Sequence, residues 1–287
     1  MNSNALFVDR VGILATMHHK EKVIAPLLEQ HLGIKVVVPE NFDTDAFGTF
    51  TREIKRTGDQ LEAAILKAEK GLALTGESLA LASEGTFGPH PLVSYLPCNR
   101  EIMVLLDKTH NIKLVGQEFS TNTNYSHKQV KSIEEAYEFA LKAGFPEHGL
   151  VVMVEQNSIK ESEVVKGITT KEQLFDAVTQ ALAQSCNGTV HVETDMRALY
   201  NPTRMKAIEK ATHDLIKKIN QVCPKCNWLG FEVIERKKGL PCALCNFSTE
   251  LTRAVTYYCK KCKFQQEVLF PDGLEKADPA QCMYCNP

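Results

Sequence analysis

The sequence predicts a layered α/β domain, a mixed sheet flanked by helices, with a small cysteine-rich module after it. Three observations carry that expectation. Short apolar runs alternate with amphipathic stretches from the N-terminus as far as Asn220, the pattern of strands interleaved with helices. Two runs, Glu101–Asp107 and Lys113–Phe119, flank a short polar turn and read as an antiparallel hairpin, so the sheet should be mixed. Eight of the ten cysteines fall between Cys223 and Cys285 as four Cys-x-x-Cys pairs, a metal-binding pattern in a chain that shows no export signal.

The elements follow in order. Val11–Thr16 reads as a strand, and Lys20–Leu32 as a helix whose apolar face is Val23, Ile24, Leu27 and Leu28, closed by Gly33. Pro26 is expected to kink that helix or delay its start. Lys35–Val38 is a second strand. Asp59 and Glu62 form a capping box for a helix that runs to about Leu74. In the stretch LALASEGTFGPHP (Leu79–Pro91), Leu79–Ala82 reads as a core strand that ends at Ser83 and Glu84, and the glycines and prolines after it as a loop. Ser132 and Glu135 start a helix that Gly144 closes, Gly149–Val154 is a strand, and Thr170 with Gln173 caps a further helix. Thr189–Glu193 is the next strand. Asn201 and Pro202 then open a helix carrying Met205, Ile208, Leu215, Ile216 and Ile219.

At 44% hydrophobic and 24% charged, the composition is that of a globular chain. A formal net charge of -2 supplies no global field toward nucleic acid or anionic lipid. The longest apolar runs, such as Val11–Met17 and Leu150–Val154, are too short to span a bilayer. The N-terminus lacks the pattern of a signal peptide, and the expected location is cytoplasmic. The expected division is an α/β ligand-binding or catalytic domain over 1–220 and a zinc-binding module over 221–287.

The pairs are Cys223/Cys226, Cys242/Cys245, Cys259/Cys262 and Cys282/Cys285, and the segments between successive pairs are Asn227–Pro241, Asn246–Tyr258 and Lys263–Gln281. Tetrahedral zinc takes four thiolates, and each pair offers two sulfurs from one turn. Two structural zinc ions in a zinc-ribbon-like module are therefore expected. Joining the first pair to the second and the third to the fourth closes the loops Asn227–Pro241 and Lys263–Gln281. Both fall inside the usual window of about 15–20 residues. An interleaved cross-brace is the rival pairing. From Gln221 onward nine Lys/Arg face seven Asp/Glu, and eight thiolates with two Zn²⁺ leave the module weakly negative, which disfavours phosphate binding.

Four polar clusters are expected at strand ends. The first, Thr16–Lys22, brings Lys20 and Lys22 to a helix N-terminus, where anions are favoured. The second spans 43–58 and includes Arg52. The third holds Glu84, Thr86 and His90 beyond a strand's carboxyl end, where open α/β sheets bind ligands. The fourth, 191–205, holds His191, Glu193, Asp195, Arg197 and Arg204, arginines suited to phosphate or carboxylate and acids suited to Mg²⁺. Ser126, His127 and Lys128 lie in a further polar loop. An ordinary solvated loop or a surface ion-pair network would use the same residue types.

Two resemblances stand on these residues. The segments DTDAFGTFTRE, ASEGTFGPHP and TDMRALYNPTRM, with the closing cysteine pairs, make the whole chain resemble a bacterial family of unknown function. More narrowly, Leu61–Ala68 followed by Thr75–Gly85 is similar to the inosine triphosphate pyrophosphatases over about residues 10–145, and Ser126–Lys128 resembles their Ser-His-Arg. That resemblance implies Glu62 and Lys67 on a site-facing helix and Mg²⁺-assisted hydrolysis of a nucleotide. The family's paired aspartates are replaced by Ala82 and Ser83, leaving Glu84 as the acid.

The expected function is binding of a phosphorylated small molecule such as a nucleotide, with metal-assisted hydrolysis as its enzymatic form. Glu62, Glu84 and Asp195 are the candidate catalytic acids and Mg²⁺ ligands. Lys20, Arg52, Lys67, His90, His127, Arg197 and Arg204 are the candidate ligand-binding residues. The alternative is a non-enzymatic zinc-ribbon protein that binds RNA or a protein partner.

Overall fold

The computed structural model describes residues 3–40, 42, 58–156, 158 and 160–287. The chain divides into two compact units, Phe7–Ile216 and a second formed by Met1–Leu6 with Lys217–Pro287. No helix among the described residues is long and apolar enough to cross a membrane.

The first unit opens with β1 (Val11–Ala15), α1 (Glu21–Leu32) and β2 (Lys35–Val37). Pro26 lies inside α1 and does not delay its start, and Gly33 ends the helix at φ 68° with its N–H on the Glu29 carbonyl. Next come α2 (Gln60–Thr75), β3 (Leu79–His90), β4 (Val93–Asp107) and β5 (Ile112–Ser120). The strands form one sheet in the order β2-β1-β3-β4-β5. β1 pairs parallel with β2 and β3, and the rest of the sheet is antiparallel.

The loop expected after Ala82 is strand instead. β3 continues through Glu84 to His90 because β4 pairs with it along that length, from Leu79 opposite Asp107 to Pro89 opposite Pro97. A partner strand satisfies backbone groups that Gly and Pro alone would leave to a turn. His90 is thereby carried about 20 Å along the ribbon from Glu84 at the usual strand rise.

A second sheet follows. It is built from β6 (His127–Val130), α3 (Ile133–Ala143), β7 (Leu150–Met153), β8 (Val164–Ile168), α4 (Lys171–Gln184) and β9 (Val190–Thr194). Its strands are antiparallel in the order β6-β9-β7-β8. The α/β region thus holds two sheets. Helices α3 and α4 cover one face through Ala136, Phe139, Ala140, Leu174, Ala177 and Val178, packed on Leu150, Val152, Val190 and Val192. Helix α5 (Pro202–Asn220) ends the region, and the Arg204 amide bonds Asn201 Oδ1 at 2.9 Å as an N-cap.

Helix α2 packs Ala64, Ala68 and Leu72 on the sheet face formed by Ile13, Ala15, Ala80, Ala82, Ile102, Val104 and Leu106. Helix α5 lies on the opposite face. A Cβ at Gly116 would overlap the Ala211 carbonyl oxygen and the Leu215 amide nitrogen, so only glycine admits that close approach. Right-handed crossovers place α1 and α2 on opposite faces of β1. β1 ends at Ala15, while β3 runs on past it to His90.

The C-terminal unit holds β10 (Glu232–Lys238), β11 (Thr252–Tyr258) and β12 (Gln265–Leu269), an antiparallel meander.

Candidate functional site

The ladder between β1 and β3 ends at Ala15 opposite Ala82. From Ser83 onward the edge of β3 has lost that neighbour, and Lys20 occupies the place. Its Nζ donates to the Ser83 carbonyl oxygen at 3.1 Å and to Ser83 Oγ at 3.0 Å. Glu84, one residue on and facing the α2 side, is ion-paired with Lys67. On the other face Glu101 Oε1 accepts from Arg204 Nε at 2.8 Å, and Arg204 also donates to the Met196 carbonyl oxygen. Gly85 makes room for that pair, since a Cβ there would overlap Glu101 Oε1 and come within 2.7 Å of Arg204 Nη2.

Five ionisable side chains, Lys20, Lys67, Glu84, Glu101 and Arg204, are therefore buried around one stretch of β3. Burial, followed by the Arg204 cation, pushes the Lys20 ammonium down to about 7, against the pull of Glu84 and Glu101. Among the described residues, Glu101 Oε2 and Asn99 Oδ1, both buried on β4, have no hydrogen-bond partner.

An aromatic path leads from this cluster to the second sheet. The Arg204 guanidinium lies 5.1 Å from the Phe87 ring, Phe87 lies 6.0 Å from Tyr125, and Tyr125 6.5 Å from His127. His127 stands 5.2 Å from His191, whose Nε2 is 3.2 Å from Glu193 Oε2. Of the expected residues, Lys20, Lys67, Glu84 and Arg204 are thus brought together, with His127 at the end of the aromatic path.

The others lie elsewhere. Glu62 is exposed, and its carboxylate accepts the Asp59 amide at 2.9 Å as part of the helix cap. Asp195 is held by Arg197, through Nε and Nη2, and by the Gly167 amide at 3.1 Å. Arg197 lies over Tyr200. His90 sits at the ribbon's far end with its Nδ1 on the Leu92 amide. Arg52 lies outside the described residues. The three expected acids do not assemble a divalent-cation site among the described residues, because each has taken a different partner: Asp59, Lys67 or Arg197. Ser83, Asn99, Glu101 and Phe87 joined the cluster without a sequence signal. Glu101 reads from the sequence as the first residue of a hairpin strand and Asn99 lies before it, and only the tertiary structure shows that both are buried on β4.

The second candidate centre is the cysteine module. The thiols form two groups, Cys223, Cys226, Cys259 and Cys262, and Cys242, Cys245, Cys282 and Cys285, each with its sulfurs within 4.8 Å of one another. First joins third and second joins fourth, so the sequential pairing favoured by the loop lengths gives way to the cross-brace. The meander is the reason. Glu232 pairs with Tyr258 and Tyr258 with Gln265, which puts the entry to β10 and the β11–β12 turn at one end. The β10–β11 connection and the exit of β12 share the other.

Each knuckle turns in the same way. The amide after the second cysteine bonds the first cysteine's carbonyl, at 2.8 Å for Asn227, 3.0 Å for Asn246, 2.9 Å for Lys263 and 2.8 Å for Asn286. Asn227 and Asn246 take the left-handed backbone that asparagine tolerates, at φ 56° and 58°. Sulfur separations of 3.7 Å for Cys223–Cys262, 3.6 Å for Cys226–Cys259, 3.9 Å for Cys242–Cys285 and 3.7 Å for Cys245–Cys282 are far beyond a disulfide. They match the edge of about 3.8 Å in a tetrahedron with metal–sulfur bonds of about 2.3 Å. Four such thiols cannot all ionise without a cation. The Phe264 amide draws Cys262 down to about 7, while burial pushes Cys226 up to about 12. Each group could hold one metal ion.

The family model of a domain of unknown function, DUF6671, matches residues 67–287, a stretch that contains β3, Arg204 and all eight clustered cysteines. No curated protein matches the chain.

Proposed function

We propose, for a chain that belongs to the DUF6671 domain family, that the charged cluster at β3 binds a phosphorylated small molecule such as a nucleotide. The observation that carries this reading is the burial of three cations, Lys20, Lys67 and Arg204, around two carboxylates. Buried charge is costly unless it is paired, and here the cations outnumber the acids. A bound phosphate would bring negative charge to Lys67 and Arg204 beside Lys20. The resemblance to inosine triphosphate pyrophosphatases points the same way at Lys67 and Glu84. It does so less at Glu62, whose carboxylate serves the helix cap.

The test is a melting-temperature screen of the full chain with nucleoside mono-, di- and triphosphates, sugar phosphates and inorganic pyrophosphate, with and without Mg²⁺. A ligand at 100 times its dissociation constant stabilises by about 2.7 kcal/mol, a shift of several degrees. The shift is expected to disappear in Lys67→Ala. If no phosphorylated compound stabilises the protein, the reading falls.

In the same proposal zinc is the metal of both cysteine groups. Four thiolates at tetrahedral edges suit it, and with no open coordination position its role is structural.

A second reading assigns the module a protein partner. Leu244, Phe247, Met283 and Tyr284 are exposed on the knuckles of the second group, and a cavity of about 420 Å³ opens between Phe247, Glu250 and Tyr284. The basic residues are less available to RNA, since Lys237, Lys238 and Lys260 pair with Glu267, Glu250 and Glu232. On this reading Tyr284→Glu abolishes co-purification of a partner while leaving two zinc ions bound. Partner capture unchanged by that variant removes it.

A further inference from the structure

We infer that Ser83 is a nucleophile with Lys20 as its general base, and that it accepts the phosphoryl group of the phosphorylated ligand. The inference rests on the phosphate reading for its substrate class, and on the Lys20–Ser83 geometry for its chemistry.

A serine hydroxyl reacts only when a base takes its proton as it attacks. Lys20 Nζ lies 3.0 Å from Ser83 Oγ, within reach of that proton. Both residues are deeply buried, Ser83 at 3% and Lys20 at 6% exposure. Lysine serves as a base only when neutral, and its environment here favours the neutral amine. Burial and Arg204 bring its pKa to about 7, Lys67 pushes the same way, and Glu84 and Glu101 oppose. Those groups face it from α5, α2, β3 and β4. Successive strand residues alternate between faces, so Gly85 points to the same side as Ser83. There the Arg204 guanidinium lies against the strand, placed to hold oxygens of the group under attack.

The step balances with water as the only co-reactant. As the Ser83 Oγ–phosphorus bond forms, the hydroxyl proton passes to Lys20 Nζ. The bond from phosphorus to the leaving oxygen breaks, and that oxygen takes the proton from the lysine. Water then attacks the phosphoserine. Its proton goes to Lys20 and on to Ser83 Oγ as that bond breaks, releasing phosphate and restoring both side chains.

The experiment is covalent labelling of the full chain with a fluorophosphonate. Ser83 Oγ would displace fluoride, and intact mass spectrometry would count adducts. One adduct per chain is expected, placed on Ser83 by peptide mapping, with a rate that rises through pH about 7 as Lys20 loses its proton. Ser83→Ala should take none. Lys20→Arg, which keeps the charge and gives up the base, should label at least about 100-fold more slowly. The wild-type pH profile needs no variant and stands even where a substitution unfolds the protein. No adduct on the folded wild type, an adduct on another residue, a flat pH profile or full-rate labelling of Lys20→Arg would each overturn the inference. If phosphorylated ligands still raise the melting temperature of Ser83→Ala while the probe fails, the nucleophile falls and the phosphate reading survives. Labelling in a protein that no phosphorylated ligand stabilises overturns the phosphate reading and the phosphoryl transfer with it.

Discussion

The double substitution Cys223→Ser/Cys262→Ser is expected to leave one zinc ion per chain of the two proposed. These residues belong to one group in the interleaved arrangement, so their loss empties one site and spares the other. Were the pairs joined sequentially, Cys223 and Cys262 would belong to different sites and both ions would go. Metal analysis after gel filtration distinguishes the outcomes, and a count of zero overturns the cross-brace. The folding effect should be large. Cys223 and Cys259 are buried with Phe231, and Trp228, Tyr257 and Phe264 pack around them. Phe231 stacks at 5.4 Å on Tyr257 and 6.0 Å on Phe264. So small a core depends on its ion, since structural zinc in small modules contributes on the order of 10 kcal/mol. Loss of the dispersed amide signals of the β10–β12 sheet in the nuclear magnetic resonance spectrum would report the unfolding.

Glu101→Gln should destabilise the first unit by about 3–5 kcal/mol, the usual cost of leaving one partner of a buried ion pair alone. Glu101 is wholly buried and Arg204 nearly so, 2.8 Å apart. The Arg204 charge would then sit beside Lys20 without the carboxylate to which its Nε donates. Against a total stability of about 5–15 kcal/mol, such a loss brings the fold near its threshold. Urea denaturation measures it. The double variant Glu101→Leu/Arg204→Met removes both charges and should recover most of the loss, because apolar replacement of a whole buried pair is often neutral or better. A cost under about 1 kcal/mol for the single change would mean that the pair is hydrated, and would weaken the phosphate reading that depends on its burial.

The helix ends were legible in the sequence because capping is local. Asp59 with Glu62, Thr170 with Gln173, Ser132 with Glu135, and the closing Gly33 and Gly144 each act within one turn. Strand ends were not, because a strand ends where its partner ends. β3 outruns its apolar residues for the length of β4, and β6 is three exposed polar residues and Val130, made a strand by β9. Glu62 shows the same limit at the site. Its spacing from Asp59 predicts the cap, and the cap uses the carboxylate that the resemblance assigned to catalysis.

By itself the sequence determined the α/β class, the helix boundaries and the eight cysteines, because each depends on residues a few positions apart. Which cysteines group together, and which charges cluster around β3, were decided by the tertiary structure alone. An antiparallel meander returns alternate connections to the same end. β1 stops at Ala15 while β3 runs on, and Lys20 fills the open edge beside a serine 63 positions away.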